Sequence, residues 1–439
     1  MAKKTKAASL TIEEKLEQAL VVPGYEPYKI PDNWCWTNLK TVCNLDNGIK
    51  HNNESLVYFD AKTLREITEP VSRNSGVIVE KGQKVILVDG ENSGEVFVIP
   101  DRGYMGSTFR ILNISKQFDE MYIRYFIDIF REELKKNKIG SAIPHLNKEL
   151  FYGLQFPLPP LPEQQRIVER IESLFSKLDE AKEKAQGVID SFETRKAAIL
   201  HKAFSGELTA KWREENGVGI ESWENRSIND ICHSLKYGTS KKSKTQGSVI
   251  VIRMGNIQQG EIDWSDLAYT DDKEDIEKYR LSPGDVLFNR TNSAVLVGKT
   301  SIYRGEFPAI YAGYLIKLDY KHDEIIGDYL NYALNTPAAK EYCNNVKTDG
   351  VNQSNINAKK IGAFVIPVAS INEQQVIVEI ISSLLKKENE SKQAAEVVID
   401  QIYTMKKAVL ARAFRGELGT NDPEEESAVE LLKQILSGE

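Results

Sequence analysis

Apolar residues between positions 163 and 208 recur at alternating steps of four and three: Ile167, Ile171, Leu174, Leu178, Ala181, Ala185, Val188 and Phe192. That spacing is a heptad seam, the mark of a long helix that lays one stripe against a partner. The frame returns at Ile377, Ile381, Leu384, Ala395, Val398 and Ile402, with Glu388 and Ser391 standing where apolar seam residues are expected. It returns because the text does: Glu163–Leu208 and Glu373–Leu418 are about half identical and align without a gap. A copied segment of this length outside a solenoid points to duplication, and such copies can pack as pseudo-symmetric mates. About 40 helical residues rise roughly 60 Å, and most of the stability of such a helix comes from covering its stripe. The expected partner of each copy is the other, running antiparallel. Pro162 suits a first helical turn, and Asn372 with Gln375 resembles a capping box.

The duplication continues upstream more loosely. Gly140–Asn147 aligns with Gly350–Asn357, Phe156-Pro157 with Ile366-Pro367, and Asn33-Trp34 resembles Ser222-Trp223. Two divergent blocks therefore alternate with two similar helices. The pattern divides the chain into an N-terminal helical segment (1–29), a first domain (30–157), a first helical spacer (158–208), a linker (209–218), a second domain (219–367), a second helical spacer (368–418) and a tail with a short helix (419–439). Strand-like runs at 76–79, 84–88, 248–252 and 285–288, with an amphipathic helix over 121–134, predict two globular α+β domains. Thr11–Glu14 and Ser427–Glu430 look like capping boxes opening short helices near the two ends.

Composition narrows the chemistry. No apolar run approaches a membrane span, and the basic start MAKKTKAAS lacks a following apolar core, so a cytoplasmic protein is expected. Cys35, Cys43, Cys232 and Cys343 show neither CxxC spacing nor matched histidines, so no metal site is expected. A net charge of -7 argues against a non-specific nucleic-acid binder held by general basicity. Charge is unevenly spread, however: Ile231–Gly260 holds no acid while carrying Lys236, Lys241, Lys242, Lys244 and Arg253. Ser293–Thr300 is a near miss to a phosphate-binding loop, with Ser where the motif needs Gly. No HExxH, no GxGxxG following a strand and no Asn-Pro-Pro-aromatic motif occurs, so the chain is expected to be catalytically inert.

PLPPLPEQQRIVERI and AFSGELTAKWR, their second-copy counterparts IPVASINEQQVIVEI and AFRGELGTNDPEEES, and GDVLFNRTNSAVLVGKT in the second domain carry a family likeness. Over nearly its whole length the chain resembles a specificity subunit of a type I restriction-modification system, departing from the simplest pattern in lacking prolines at Ser370 and Asn372. The resemblance implies two target-recognition domains separated by two long antiparallel coiled-coil helices, pseudo-two-fold symmetric, with chain ends near one another. It implies that each domain reads one half of a split, asymmetric site on double-stranded DNA while the helices set the unread spacer. Two methyltransferase subunits, and in the full enzyme two motor-nuclease subunits, would dock on this chain. It implies no cofactor here, since S-adenosylmethionine, ATP and Mg belong to the partners, and no membrane.

Residues that can read base edges, set among glycines that allow close backbone approach, are the candidate DNA contacts. In the second domain these are Tyr237, Thr239, Ser240, Lys241 and Lys242; Arg253, Asn256 and Gln258; Arg290, Thr291, Asn292 and Ser293; and Asn352, Gln353, Ser354 and Asn355. In the first domain they are Lys50, Asn52 and Asn53; Arg73 and Asn74; Glu91, Asn92 and Ser93; Arg110; and His145. The competing reading is a coiled-coil adaptor whose paired domains bind proteins or glycans. The acid-free stretch, and the placement of both domains before equivalent helices, favour DNA.

Overall fold

A computed structural model describes residues 11–140, 144–351 and 353–437. The chain forms two compact units, Met1–Lys184 with Val398–Glu439, and Ala185–Val397, whose boundary falls inside the long helices Leu161–Asp190 and Ile371–Ala413.

In the first unit a four-stranded antiparallel sheet has the order Cys43–Asp46, Phe109–Ile114, Lys84–Leu87, Val96–Val98. Beside it, Lys50–Phe59, Val71–Val79 and Gly103–Met105 close a small barrel. The helix expected over 121–134 is two, Glu120–Ile129 and Arg131–Lys136, parted by a tightened turn in which Phe130 N donates to Ile127 O. A ribbon of Cys35–Asn38 with Gln155–Leu158 closes the domain. Its core, including Tyr122, Phe126 and Phe156, is continuous with Ile167 and Ile171 of the first long helix and Leu410, Ala413 and Phe414 at the end of the second.

The second unit repeats this plan. Its antiparallel sheet runs Cys232–Tyr237, Leu315–Tyr320, Val286–Asn289, Thr300–Ile302, strand for strand the order of the first. Glu224–Ser227 pairs with Val365–Val368 as the closing ribbon. Where the first unit has its barrel, the second has a sheet of Tyr269–Thr270, Val249–Ile252 and Ala309–Tyr311. Tyr329 packs with Leu200, Ala203, Ile377 and Ile381, again joining domain core to helix seam.

The helices are antiparallel within each unit. In the first, Lys406 pairs with Asp179 at 2.6 Å and lies over the Phe175 ring. In the second, Arg195 pairs with Glu388 at 2.5 Å and Lys392 lies over Phe192. Of the seam positions, Ile167, Ile171, Ala185, Phe192, Ile377, Ile381, Ala395 and Ile402 are buried, while Leu174, Leu178, Val188 and Leu384 are half-buried. Ala181 and Val398 are not on the covered stripe: both are exposed, Val398 by 39 %.

Two expectations about the helices are corrected. The first copy is not one rod: it breaks at Ser191 and resumes as Phe192–Phe204. Gly187 O accepts from both Ser191 N at 3.1 Å and Ser191 Oγ at 2.5 Å, and at the next position Val188 O accepts from Arg195 Nη2 at 3.0 Å, so a side chain stands at the carbonyl where the ladder is interrupted. Nor is Glu388 a loose polar break, because the same Arg195 holds its carboxylate. Ser391 is exposed and donates to Lys387 O.

Each long helix begins with a buried Glu-Gln pair. Glu373 accepts from Thr209 Oγ1 and Arg213 Nη1, both at 2.7 Å, and from Trp223 Nε1 at 2.8 Å. Glu163 accepts from Thr420 Oγ1 at 3.1 Å and Asn421 Nδ2 at 2.7 Å. Each carboxylate thus holds the segment that follows the opposite helix. The neighbouring glutamines hold the domains: Gln164 accepts from Asp119 N, and Gln374 accepts from Ile326 N, both at 2.9 Å. The helix start at Ile371 is capped by Ser370 Oγ, which accepts from Glu373 N at 3.3 Å, whereas Gln375 turns to Glu379 and makes no capping box with Asn372.

The terminal helices Ile12–Ala19 and Ala428–Ser437 meet in the first unit, with Lys15 Nζ on Leu436 O at 3.1 Å and Ala428 N on Asn33 O at 2.9 Å. Thr11 and Glu14 make a capping box. Glu430 does not, since its carboxylate goes to Lys433 at 2.6 Å. Among the described residues, no helix is long and apolar enough to cross a membrane.

The two carboxylates differ in what their loss leaves behind. Glu373→Gln strands the guanidinium of Arg213, 9 % exposed, and should cost about 3 kcal/mol in urea unfolding, as for breaking a buried ion pair. Glu163→Gln removes an acceptor from neutral donors and should cost about 1 kcal/mol; an equal or larger loss than at Glu373 would contradict this ranking. Burial raises the Glu163 carboxyl above its ordinary 4.5. The folded chain therefore holds that proton more tightly than the unfolded one, and its contribution, present at low pH, is lost as pH rises through the raised value. In Glu163→Gln, unfolding measured across the range just above pH 4.5 should lack that decline.

Candidate nucleic-acid interface

In the second unit, the turn leaving Cys232–Tyr237 and the turn entering Leu315–Tyr320 frame a cleft of about 1020 Å³. Lys241, Lys242, Arg253, Arg290 and Lys299 line it against a single carboxylate, Asp266. Such a concentration of cations on a chain of net charge -7 is a local field, suited to a polyanion. Between the cations stand groups that can read as well as hold: Gln258, Thr291, Asn292 and Tyr314. The Arg290 guanidinium lies 4.8 Å from the Tyr237 ring and donates to Gly313 O at 3.3 Å. Gln258 Oε1 accepts from Lys299 Nζ at 2.8 Å, and burial lowers the affinity of that lysine for its proton.

The first unit has a cleft of about 640 Å³ at the corresponding place. Asn47–Lys50 leave the strand Cys43–Asp46, and Gly106 and Ser107 lead into its sheet neighbour Phe109–Ile114. Lys50, Arg73 and Arg110 line this cleft with no carboxylate among them. The Arg73 guanidinium stacks on Tyr58 at 3.4 Å. Lys50, Asn52, Asn53, Arg73 and Asn74 lie in the strands Lys50–Phe59 and Val71–Val79, which pair with each other. Their stretches 50–55 and 72–75 carry no apolar residue on either face, which hides the alternation there. A bulge between Asn52 and Leu56 puts Asn53 at φ 76°, a conformation that asparagine tolerates better than most residues.

Several candidates have other employment. Ser93 is fully buried and donates to Gly90 O at 2.7 Å. Thr239, 5 % exposed, donates to the Asp275 carboxylate. Asn256, 3 % exposed, accepts from Arg253 N and donates to Asp263 O and Asp266 O. All three hold turns and are withdrawn as base contacts. The acid-free stretch is not free of acids in space. Asp272, ahead of Asp275, holds the Lys241 ammonium well above the usual lysine range, while Lys244 meets Asp271, Arg253 meets Asp266 and Lys236 meets Asp319. Lys242 has no acid within ion-pair reach among the described residues.

Outside both clefts, His145 pairs with Asp89 at 2.7 Å and Glu91 with Lys138 at 2.6 Å, while Asn92 is half-buried. Ser240 lines the larger cleft, and Ser293 is exposed beside Asn292. Asn355 Nδ2 donates to Thr291 Oγ1 at 2.9 Å, Ser354 donates to Asp349, and Gln353 is exposed. Asn352 lies outside the described residues. Ser293–Thr300 runs into a strand and not a helix, so it lacks the cradle of a phosphate-binding loop. Lys299 and Tyr314 were not among the candidates; the signal for Lys299 was its place in that near-miss motif.

Similar proteins share this plan. A family model described as type I restriction modification DNA specificity domain matches residues 31–188 and again 220–399. The type I restriction enzyme EcoKI specificity subunit of Escherichia coli (strain K12) is 23% identical over 93% of this chain and 96% of its own length. Two solved structures share the fold at 19% identity. A chain from the structure described as the basis of complex assembly and conformational transition of the type I R-M system has a TM-score of 0.67, covering 89% of this chain and 100% of that one. The HsdS subunit from Thermoanaerobacter tengcongensis has a TM-score of 0.57, covering 89% and 99%. With two copies of the family model spanning most of its length, the chain belongs to the type I restriction-modification DNA specificity family, as a specificity subunit.

Proposed function

We infer that the two clefts read the two halves of a split, asymmetric DNA site, one in each unit. The observation that carries this reading is the pair of cation-lined clefts, which open at the same end of topologically equivalent sheets yet are lined by different side chains. Equivalent placement suits a duplex that is itself two-fold, and unlike linings let the half-sites differ. Lys242, Lys50 and Arg110 hold phosphates, whereas Arg290 and Asn292 reach base edges. The paired helices set the unread spacer and seat two methyltransferase subunits and, in a full restriction complex, two motor-nuclease subunits. Methyl transfer and cleavage, with S-adenosylmethionine, ATP and Mg, belong to those partners.

Exchanging residues 219–367 for those of a relative with another specificity, in complex with the methyltransferase, should change one half-site and leave the other and the spacing intact. Alteration of both halves would overturn the assignment. Within the larger cleft, Lys242→Ala should weaken binding to all duplexes alike and lower the salt slope of log K by about 1. Arg290→Ala should cost about 1–3 kcal/mol and relax selection at one base pair. Titrations of site and scrambled duplexes at several salt concentrations separate the two behaviours, and a uniform loss at Arg290 would contradict its reading role.

A further inference from the structure

In two segments near the larger cleft, one carrying its lining residue Leu296, the chain spends apolar side chains where water would reach them. Val295 is 90 % exposed, Val351 fully so, and Leu296, which lines the cleft, 38 %. Single exposed aliphatics are ordinary on protein surfaces; their position here is what calls for a reason. Strand Thr291–Asn292 pairs antiparallel with Ser354–Asn355, which pairs antiparallel with Thr348–Asp349 on its other side. The outer two strands therefore run the same way, and the segments that follow them, carrying Val295 and Val351, leave one end of one small sheet. Lys347 Nζ ties the two together by donating to Ala294 O at 3.1 Å, and Gly350 N closes the second turn on Gln353 O at 2.8 Å. Two aliphatic tips are thus held on a common platform beside Arg290, Thr291 and Asn292.

A polar cluster alone reads donors and acceptors. The one base feature of the major groove with neither is the 5-methyl group of thymine. Valine, branched and without a polar atom, presents methyl groups to such a partner at little conformational cost. Resting on the reading of this cleft as a DNA interface, we propose that Val295, with Val351 beside it, reads thymine methyl groups in the half-site recognised by the second domain. Covering one methyl group is worth about a fourfold change in affinity.

Deoxyuridine tests this directly, since it keeps the pairing and removes only the methyl group. The complete chain, bound to its methyltransferase partner, is titrated with duplexes bearing the split site and single dT-to-dU replacements in that half. The expected result is about a fourfold loss at one or two positions, with the thymine-to-uracil ratio falling close to one at those positions in the Val295→Ala, Val351→Ala double variant. Val295→Thr, which keeps the shape, guards against a folding defect and should lower the same ratio partway. Indifference of the unaltered chain to every dU, a half-site without a T·A pair, or a ratio that survives in the double variant overturns the proposal. Selective binding that ignores dU overturns only this proposal, and an apolar wedge between base steps would behave so. Failure to select any split site overturns the cleft reading with it.

Discussion

A buried carboxylate at the head of each long helix, tied to the segment that follows the other helix, is the constraint on which the rest depends. Glu373 gathers Thr209, Arg213 and Trp223, and Glu163 gathers Thr420 and Asn421. Because the carboxylates are desolvated, their donors cannot be exchanged for water without cost, so the end of one helix is fixed against the start of its partner. The glutamine beside each extends the hold to a recognition domain through backbone groups of residues 119 and 326. Domain, helix start and opposite helix end are one packed body in each unit, which is why the domain cores merge with the seam. A domain mounted this way keeps its orientation to the helices.

The duplication is faithful in these ties and unfaithful elsewhere. Arg195 and Glu388 meet in the second unit, where the first copy of the helix breaks at Ser191, while Lys406 and Asp179 make a different ion pair in the first. Partly exposed ion pairs contribute little stability, so these serve register more than strength. The helix faces of the two units consequently differ in charge and in local helix geometry.

The helices, the repeat and the alternation of domains were legible in the sequence because heptad spacing and copied text are long signals, averaged over dozens of residues. Cap chemistry was legible where the donor had no rival, as at Thr11, and misleading where it had one: Glu430 prefers Lys433, and Ser370 caps before Asn372 can. The site was less legible. Ser93, Thr239 and Asn256 have the side chains of base readers, but such residues bond just as well to nearby backbone, and only burial tells the two uses apart. Lys241 stood in an acid-free stretch of text, yet Asp272 and Asp275 come back to it in space. The stretches of barrel strand that carry Lys50 and Arg73, 50–55 and 72–75, are polar on both faces and so lack the period-2 signature by which strands are found, while the apolar end of the second strand, 76–79, was legible.

The central claim is that each unit's cleft addresses its own half of a divided site, and photocrosslinking tests it most directly. Duplexes carrying 5-iodouracil at single positions of either half-site, irradiated in complex with the chain and its methyltransferase partner and mapped by mass spectrometry, should attach one half to residues lining the 239–314 cleft and the other to residues lining the 47–110 cleft. Both halves attaching to one cleft, or chiefly to the long helices, would contradict it.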